Sequence, residues 1–331
     1  MTVSPMSGSQ CNIPVLDLGA YLAGEAGALD SLAAELRQAC LDVGFYFVVN
    51  HGVDQDLVDR TFEQTAELHS LDEEVMAAYA IDRNNIGYMA SGASMQRSST
   101  VHTATRPNLV ASFFMKRERS PDDPGVVAGL PLRGLNKWPV ELPHFRSTML
   151  DYMAALEGLG RQMLPVYARS LDLPADYFAP SFKEPSITLR ISSYPPQDAF
   201  DGEEFGTGPH TDAGFMTMLA QAEVRGLDIL SRDGAWMPAP VLPGSFLVNI
   251  GQMLTRWTND VYPSTPHRVV NLAGRQRYSL PFFFDPDFEA MIECLSTCQG
   301  PDNPPLHEPI RYLDHIVAFT NRNFDHRDKV A

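Results

Sequence analysis

The chain has 331 residues, 44% of them hydrophobic and 20% charged, with a formal net charge of −16. That is a globular composition with enough apolar material for a large core in one or two domains. The acidic balance argues against nonspecific binding to nucleic acid and against an anionic membrane surface as partner, because both need clustered cations.

Residues 1–12 are small and polar and are expected to be disordered. Ile13-Pro14-Val15-Leu16-Asp17-Leu18 reads as a short extended segment that Pro14 keeps at a sheet edge. Leu32, Leu36, Ala39, Cys40 and Val43 recur at helical spacing, so a helix is expected from Asp30, its N-cap candidate, to a stop at Gly44. Phe45–Val49 reads as a buried strand, and a helix is expected from Asp54 to about His69. His51, at the strand-to-turn junction, is read as a hydrogen-bonded structural histidine. Residues 84–138 are rich in Gly, Ser, Thr and Pro and hold only short extended pieces such as Ser112–Met115. A long irregular segment of this kind is often a functional loop or lid. Arg97 and Arg106 lie in it and could meet an acidic group of a substrate. A Met-rich helical stripe follows over 141–172, read as packing against a sheet, with a kink or break expected at Pro165.

After Pro185 the character changes to short strands: Ile187–Tyr194, a strand running on from Gly208, Leu227–Ser231, Ser245–Asn249, His267–Val270 and Arg277–Phe284. Asp233-Gly234 between strand-like runs is a strong hairpin signal. A short helix is expected over Gly251–Trp257 and a last one over 309–319, after a Pro-rich stretch. The expected class is α+β with a mostly β core, a barrel or sandwich, and helices concentrated in the first half. The expected division is a mixed helical region over 13–180, a β domain over 181–320 and a polar tail over 321–331. Cys11, Cys40, Cys294 and Cys298 are too few and scattered for a disulfide framework, and Cys294 and Cys298 lack the second pair that a zinc site needs. No run approaches the roughly 18 apolar residues of a membrane span, and no signal peptide is visible, so the expected location is the cytoplasm.

The chemistry centres on His210-Thr211-Asp212, an imidazole and a carboxylate two residues apart. On a strand such residues face one side, roughly 6.5–7 Å apart, which suits two ligands of one metal ion. The pair alone is weak evidence: His326-Arg327-Asp328 repeats it in the polar tail, where it reads as a solvated end. His267, on a strand beyond several hairpins, supplies a third ligand. Two histidines and one carboxylate on one face leave positions open for a cosubstrate and dioxygen, the arrangement of non-haem Fe(II) oxygenases. Arg277 and Ser279 then face one way on a later strand. A buried guanidinium beside a hydroxyl is costly without an anion and makes a carboxylate clamp when one is bound.

These motifs together resemble the isopenicillin N synthase-like family of Fe(II)/2-oxoglutarate oxygenases. The resemblance runs through Ile13–Leu18, Gly44–Phe47 and Asn50–Val53 in the first half. It continues through Leu189–Pro196, Pro209–Asp212, Val248–Leu254, Ser264–Val269 and Arg277–Ser279 in the second. It implies a double-stranded β-helix (jelly roll) flanked by helices. It implies iron held by His210, Asp212 and His267, and 2-oxoglutarate held at its far carboxylate by Arg277 and Ser279, with Tyr194 also touching that carboxylate. Arg190 shares the face of Tyr194 by parity and could reach the iron-bound end of the cosubstrate or form a structural ion pair.

The function expected is a dioxygenase that couples decarboxylation of 2-oxoglutarate to succinate with oxidation, most often hydroxylation, of a small-molecule C–H bond. Phe215 and Phe284 could line its pocket or fill the core. Two rivals are an iron-dependent oxidase or ethylene-forming enzyme of the same family, and a non-catalytic small-molecule binding protein on the same fold.

Overall fold

The computed structural model describes residues 13–324. The expected disordered start and the second His-x-Asp at His326 lie outside them.

The first half opens with β1 (Val15–Asp17), α1 (Gly19–Leu22), α2 (Ala28–Asp42) and β2 (Phe45–Val49). It continues with α3 (Gln55–His69), α4 (Glu73–Ala78), β3 (Gly87–Met89), β4 (Ala111–Lys116), α5 (Pro124–Val127) and α6 (Phe145–Ser170). Helix α2 begins two residues before Asp30, with Gly27 as its N-cap, so Asp30 lies inside the first turn. Helix α3 starts where expected, and Asp54 is its N-cap, accepting a hydrogen bond from the Asp56 N–H. Helix α6 starts later than expected and runs unbroken through Pro165. The proline removes one backbone donor, a loss of about 3 kcal/mol in an isolated helix. Burial of Met149, Met153, Leu156, Leu159, Met163 and Tyr167 along one face offsets it.

The second half comprises β5 (Ser186–Tyr194), β6 (Thr207–His210), β7 (Met216–Gln221), β8 (Leu227–Leu230), β9 (Trp236–Pro238) and β10 (Phe246–Ile250). After these come α7 (Gln252–Trp257), β11 (His267–Val269), β12 (Arg277–Asp285), β13 (Met291–Ile292), β14 (Ile310–Arg311) and α8 (Tyr312–Asn323). An eight-stranded sheet has the order β1-β2-β10-β7-β12-β5-β4-β3, and a four-stranded sheet the order β6-β11-β8-β9. Strands from both sides of residue 180 thus pair in one sheet. Pro14 does precede an edge strand, and β1 pairs in parallel with β2, whereas the other neighbours in both sheets are antiparallel.

The large sheet is covered on both faces, and the strands alternate accordingly. Leu280, Phe282 and Phe284 of β12, Ile187, Leu189 and Ile191 of β5 and Met216 and Met218 of β7 join α2 and α6 in the main core. The residues between them face the small sheet, where Phe45, Phe47, Tyr194 and Leu247 pack with Leu227, Ile229 and Val269 in a second cluster. The functional groups lie between the sheets. None of the helices among the described residues is long and apolar enough to cross a membrane.

Candidate metal centre and its two cavities

The expected single strand from Gly208 is in fact two strands in different sheets. β6 ends at His210, and the chain crosses to the large sheet through 211–215 before β7 begins. His210 and Asp212 are therefore not neighbours by strand parity. His210 meets His267 by cross-strand pairing of β6 with β11, ring centroids 4.3 Å apart. Asp212 is delivered by the crossing segment. One ligand atom from each of the three residues lies within 4.8 Å of the others.

The hydrogen bonds around the triad select its ligand atoms. His210 Nδ1 lies 2.9 Å from the Gly208 carbonyl and His267 Nδ1 3.2 Å from the Thr265 carbonyl. A carbonyl only accepts, so each Nδ1 carries the proton and each Nε2 presents its lone pair. Those Nε2 atoms lie 3.7 and 3.8 Å from Asp212 Oδ1. Asp212 Oδ2 is taken by Thr217 Oγ1 at 2.6 Å and Asn249 Nδ2 at 2.7 Å. One carboxylate oxygen is thus fixed by protein donors, and the other faces the two imidazoles. Burial pushes the His210 imidazole well below its usual range and keeps it neutral, the form that ligates metal. For Asp212 burial acts upward, but His267, His210 and the Asn249 and Thr217 donors outweigh it and hold the carboxyl low.

The crossing segment rests on the start of α7. The N–H groups of a first helical turn have no partner inside the helix. Here Gln252 N donates to the Asp212 carbonyl at 2.8 Å and Met253 N to the Gly214 carbonyl at 3.0 Å, while Gly251 N donates to Phe215 at 3.1 Å. The approach is close enough that a Cβ at Gly251 would overlap the Gly214 backbone, and one at Gly214 would overlap the Asp285 carboxylate.

Two cavities meet at the triad and share Arg190, His210, Asp212 and Phe283. The inner one, about 550 Å³, is lined by Tyr194, Thr207, Arg277 and Ser279 together with the triad. Arg277 is only 2% exposed, yet its Nε and Nη1 have no hydrogen-bond partner. Its guanidinium carbon sits 4.9 Å from the centre of the Tyr194 ring, the residue opposite it on β5. Burial lowers the Arg277 pKa, and Tyr194 acts against that. For Tyr194 burial acts upward, but the nearby Arg190 and Arg277 charges, with the neighbouring hydroxyls, bring the phenol below its ordinary value. A buried cation with two unused donors is costly. An anionic group bound beside it would satisfy those donors, so these residues fit a keto-acid cosubstrate. Gly226, at φ 155°, makes room: a Cβ there would lie 3.1 Å from Arg277 Cδ.

The outer cavity, about 890 Å³, is lined by Phe114, Lys116, Thr188, Phe283 and Asp285 on the sheet and by Tyr312, Ile316 and Phe319 of α8. Asn85, Ser94 and Gln96 of the long irregular segment also line it. On β12 the i, i+2 series Arg277, Ser279, Pro281, Phe283, Asp285 runs from one cavity into the other. That parity, extended from Arg277, was the sequence signal for Phe283 and Asp285. Nothing local in the sequence marked Asn249, Thr217 or the α8 residues as parts of the site. Arg190 stands at the junction, its Nε 2.9 Å from Ser112 Oγ and its guanidinium over the Phe114 ring at 5.3 Å.

Four candidate pocket residues are placed elsewhere. Phe215 is buried among Tyr167, Phe178, Phe182 and Trp257. Phe284 has the opposite parity to Arg277 and stacks on Phe182 in the main core. Arg106 pairs with Asp201 at 2.6 Å, about half exposed. Arg97 reaches toward the Arg322 carbonyl near the end of α8. None of the four lines either cavity. His51, read as structural, accepts from Val53 N at its Nδ1 and packs on Phe246.

A jelly roll carrying two histidines and one carboxylate between its sheets, beside a buried arginine with two unpartnered nitrogens, defines a non-haem metal oxygenase. The chain belongs to the 2OG-Fe(II) oxygenase superfamily. The model of that superfamily matches residues 185–286, and the model described as "non-haem dioxygenase in morphine synthesis N-terminal" matches residues 13–141. Over 306 residues the chain is 34% identical to a "probable iron/ascorbate oxidoreductase" of Dictyostelium discoideum, covering 84% of this chain and 82% of that one. Over 310 residues it is 32% identical to the 2-oxoglutarate-Fe(II) type oxidoreductase hxnY of Emericella nidulans, covering 92% and 88%. Among solved structures it is similar to a full-length Neurospora crassa protein in complex with alpha-KG and thymine, with TM-score 0.82, 25% identity and coverage of 94% and 96%. It is also similar to JOX2 in complex with 2OG, Fe and JA, with TM-score 0.77, 28% identity and coverage of 96% and 88%. The protein is an Fe(II)/2-oxoglutarate-dependent dioxygenase, and its cofactors are Fe(II), 2-oxoglutarate and dioxygen.

Proposed function

We propose that His210 and His267, through Nε2, and Asp212, through Oδ1, hold the iron. Arg277, with Ser279 and Tyr194, receives the far carboxylate of 2-oxoglutarate in the inner cavity. The observation that carries this reading is the pair of unpartnered nitrogens on buried Arg277, in a cavity shared with the triad. Held there, the iron and keto acid would supply the activation of dioxygen that oxidation of an unactivated C–H bond requires. The chain's own residues bind, orient and exclude water. Thr217 and Asn249 keep Asp212 on one oxygen, and Arg277 sets the reach of the keto acid. Arg190 keeps a positive charge where the cosubstrate and substrate cavities join.

The outer cavity takes the primary substrate, a small molecule. Its walls set an apolar stretch (Phe114, Phe283, Ile316 and Phe319) against polar and charged groups (Lys116, Thr188, Arg190 and Asp285), which supports a molecule with an apolar body and at least one polar group. The complexes of the Neurospora crassa protein with thymine and of JOX2 with JA make nucleobases and small carboxylates the first compounds to test. The experiment is anaerobic titration of protein and Fe(II) with 2-oxoglutarate. A metal-to-ligand charge-transfer band is expected, with succinate released after oxygen is admitted. Absence of both would sink the assignment. A screen for compounds that accelerate 2-oxoglutarate consumption then identifies the substrate, and one succinate per substrate oxidised separates this reaction from that of an iron oxidase.

A further inference from the structure

The C-terminal helix α8 touches two parts of the site at once. One side of it walls the outer cavity through Tyr312, Ile316 and Phe319. The same helix also bonds to the crossing segment on the C-terminal side of Asp212. His315 Nε2 lies 3.0 Å from the Ala213 carbonyl. Because a carbonyl only accepts, Nε2 is the donor and His315 is held in one tautomer. The second link is relayed: the Tyr312 hydroxyl bonds the Asp285 carboxylate, and Asp285 Oδ1 accepts from Phe215 N at 2.6 Å. The two links bracket Gly214, where a Cβ would overlap that carboxylate. On its other side the segment is bonded to α7, through Gln252 and Met253. The backbone that carries Asp212 is thus clamped between a short helix of the fold and the helix that shapes the substrate cavity.

We infer that His315 is a positioning residue for the iron. It fixes the Asp212 segment to α8, so that metal binding and the wall of the substrate cavity are coupled. The inference rests on the reading of His210, Asp212 and His267 as iron ligands. It adds that a residue outside the ligand set, on the last helix, helps set the affinity of that site. Coupling is reciprocal: if α8 orders the Asp212 segment, then loading the metal orders α8.

The test compares wild type with His315→Ala and His315→Gln, whose amide N–H replaces the Nε2 donor, in anaerobic titrations with Fe(II) and 2-oxoglutarate. Affinity for Fe(II) should fall about threefold to tenfold in His315→Ala, the range of one neutral hydrogen bond, and recover in His315→Gln. Hydrogen exchange of the α8 amides should slow when wild type takes up Fe(II) and 2-oxoglutarate, and slow less in His315→Ala. Equal Fe(II) affinity in wild type and His315→Ala overturns the inference and leaves the iron site standing. Equal weakening in both variants assigns His315 to packing alone and also overturns it. Wild type that binds no Fe(II) overturns the functional reading together with the inference. Should His315→Ala not fold, Tyr312→Phe breaks the relayed link alone, and unchanged Fe(II) affinity and α8 exchange in that variant count against the coupling.

Discussion

Asp212 and Arg277 show how single side chains are committed by their surroundings. Asp212 has one oxygen occupied by Thr217 and Asn249, which leaves the other toward the imidazoles. Removing those donors in Thr217→Val with Asn249→Ala should free the carboxylate to rotate and weaken Fe(II) binding roughly 10- to 100-fold, as loss of outer-shell partners does at metal sites. Titration of the apoprotein with Fe(II) measures it, and unchanged affinity would show that the carboxylate is held by other means. Arg277 is a buried cation with two nitrogens that have no hydrogen-bond partner, and the proposed function gives them the far carboxylate of 2-oxoglutarate. Arg277→Leu should raise the dissociation constant for 2-oxoglutarate roughly 10- to 100-fold, the equivalent of a charge-assisted hydrogen bond of about 1.5–3 kcal/mol. The midpoint of the charge-transfer titration reads this directly. Iron affinity without 2-oxoglutarate should stay near that of wild type.

At the scale of elements, the junction of the crossing segment with α7 is the part least open to change. The Gly214 backbone leaves no room for a Cβ at residue 251. Gly251→Ala should therefore destabilise the protein by at least about 2 kcal/mol, within the range of overpacked cores, and lower Fe(II) affinity with it. Thermal melting with and without Fe(II) checks both effects. The strands carry their division of labour in their alternation: even positions of β5 and odd positions of β12 face the cavities, and the apolar residues between them join the main core. A polar substitution such as Phe282→Ser should thus act on stability, and Phe283→Ser on substrate binding.

For the whole molecule, burial of histidines sets a direction for acid sensitivity. His69, stacked on Tyr278 and bonded to the Ile191 backbone, is pushed by burial down to about 4 from 6.5. His51 and His315 are lowered by the same cause. Between those limits the unfolded chain binds protons that the folded chain does not. Stability from neutral His69 is present above pH 6.5 and is lost as pH falls toward 4, by at most about 3 kcal/mol. Melting temperature should fall across that interval, and His69→Gln should flatten the decline. An equal slope in the variant would remove His69 as its source.

The sequence by itself determined the alternation of the strands, the start of α3 at Asp54, the Asp233-Gly234 hairpin and the residue types of the site. These depend on local spacing, which a single chain displays. His210-Thr211-Asp212 was legible as a metal pair, but for a reason the structure replaces: the two side chains converge because the chain leaves one sheet for the other between them, not because they share a strand face. Pro165 read locally as a break, and burial across many side chains overrode it. Phe215 and Phe284 could not be sorted between core and pocket by composition, since both environments are aromatic; the sheet face on which each falls decided it. Only the tertiary structure could bring Asn249 and Thr217 to one carboxylate oxygen, leave two nitrogens of Arg277 unpaired inside the protein, and lay α8 against both the cavity and the Asp212 segment. Those relations join residues far apart along the chain, and they exist only where packing closes the distance.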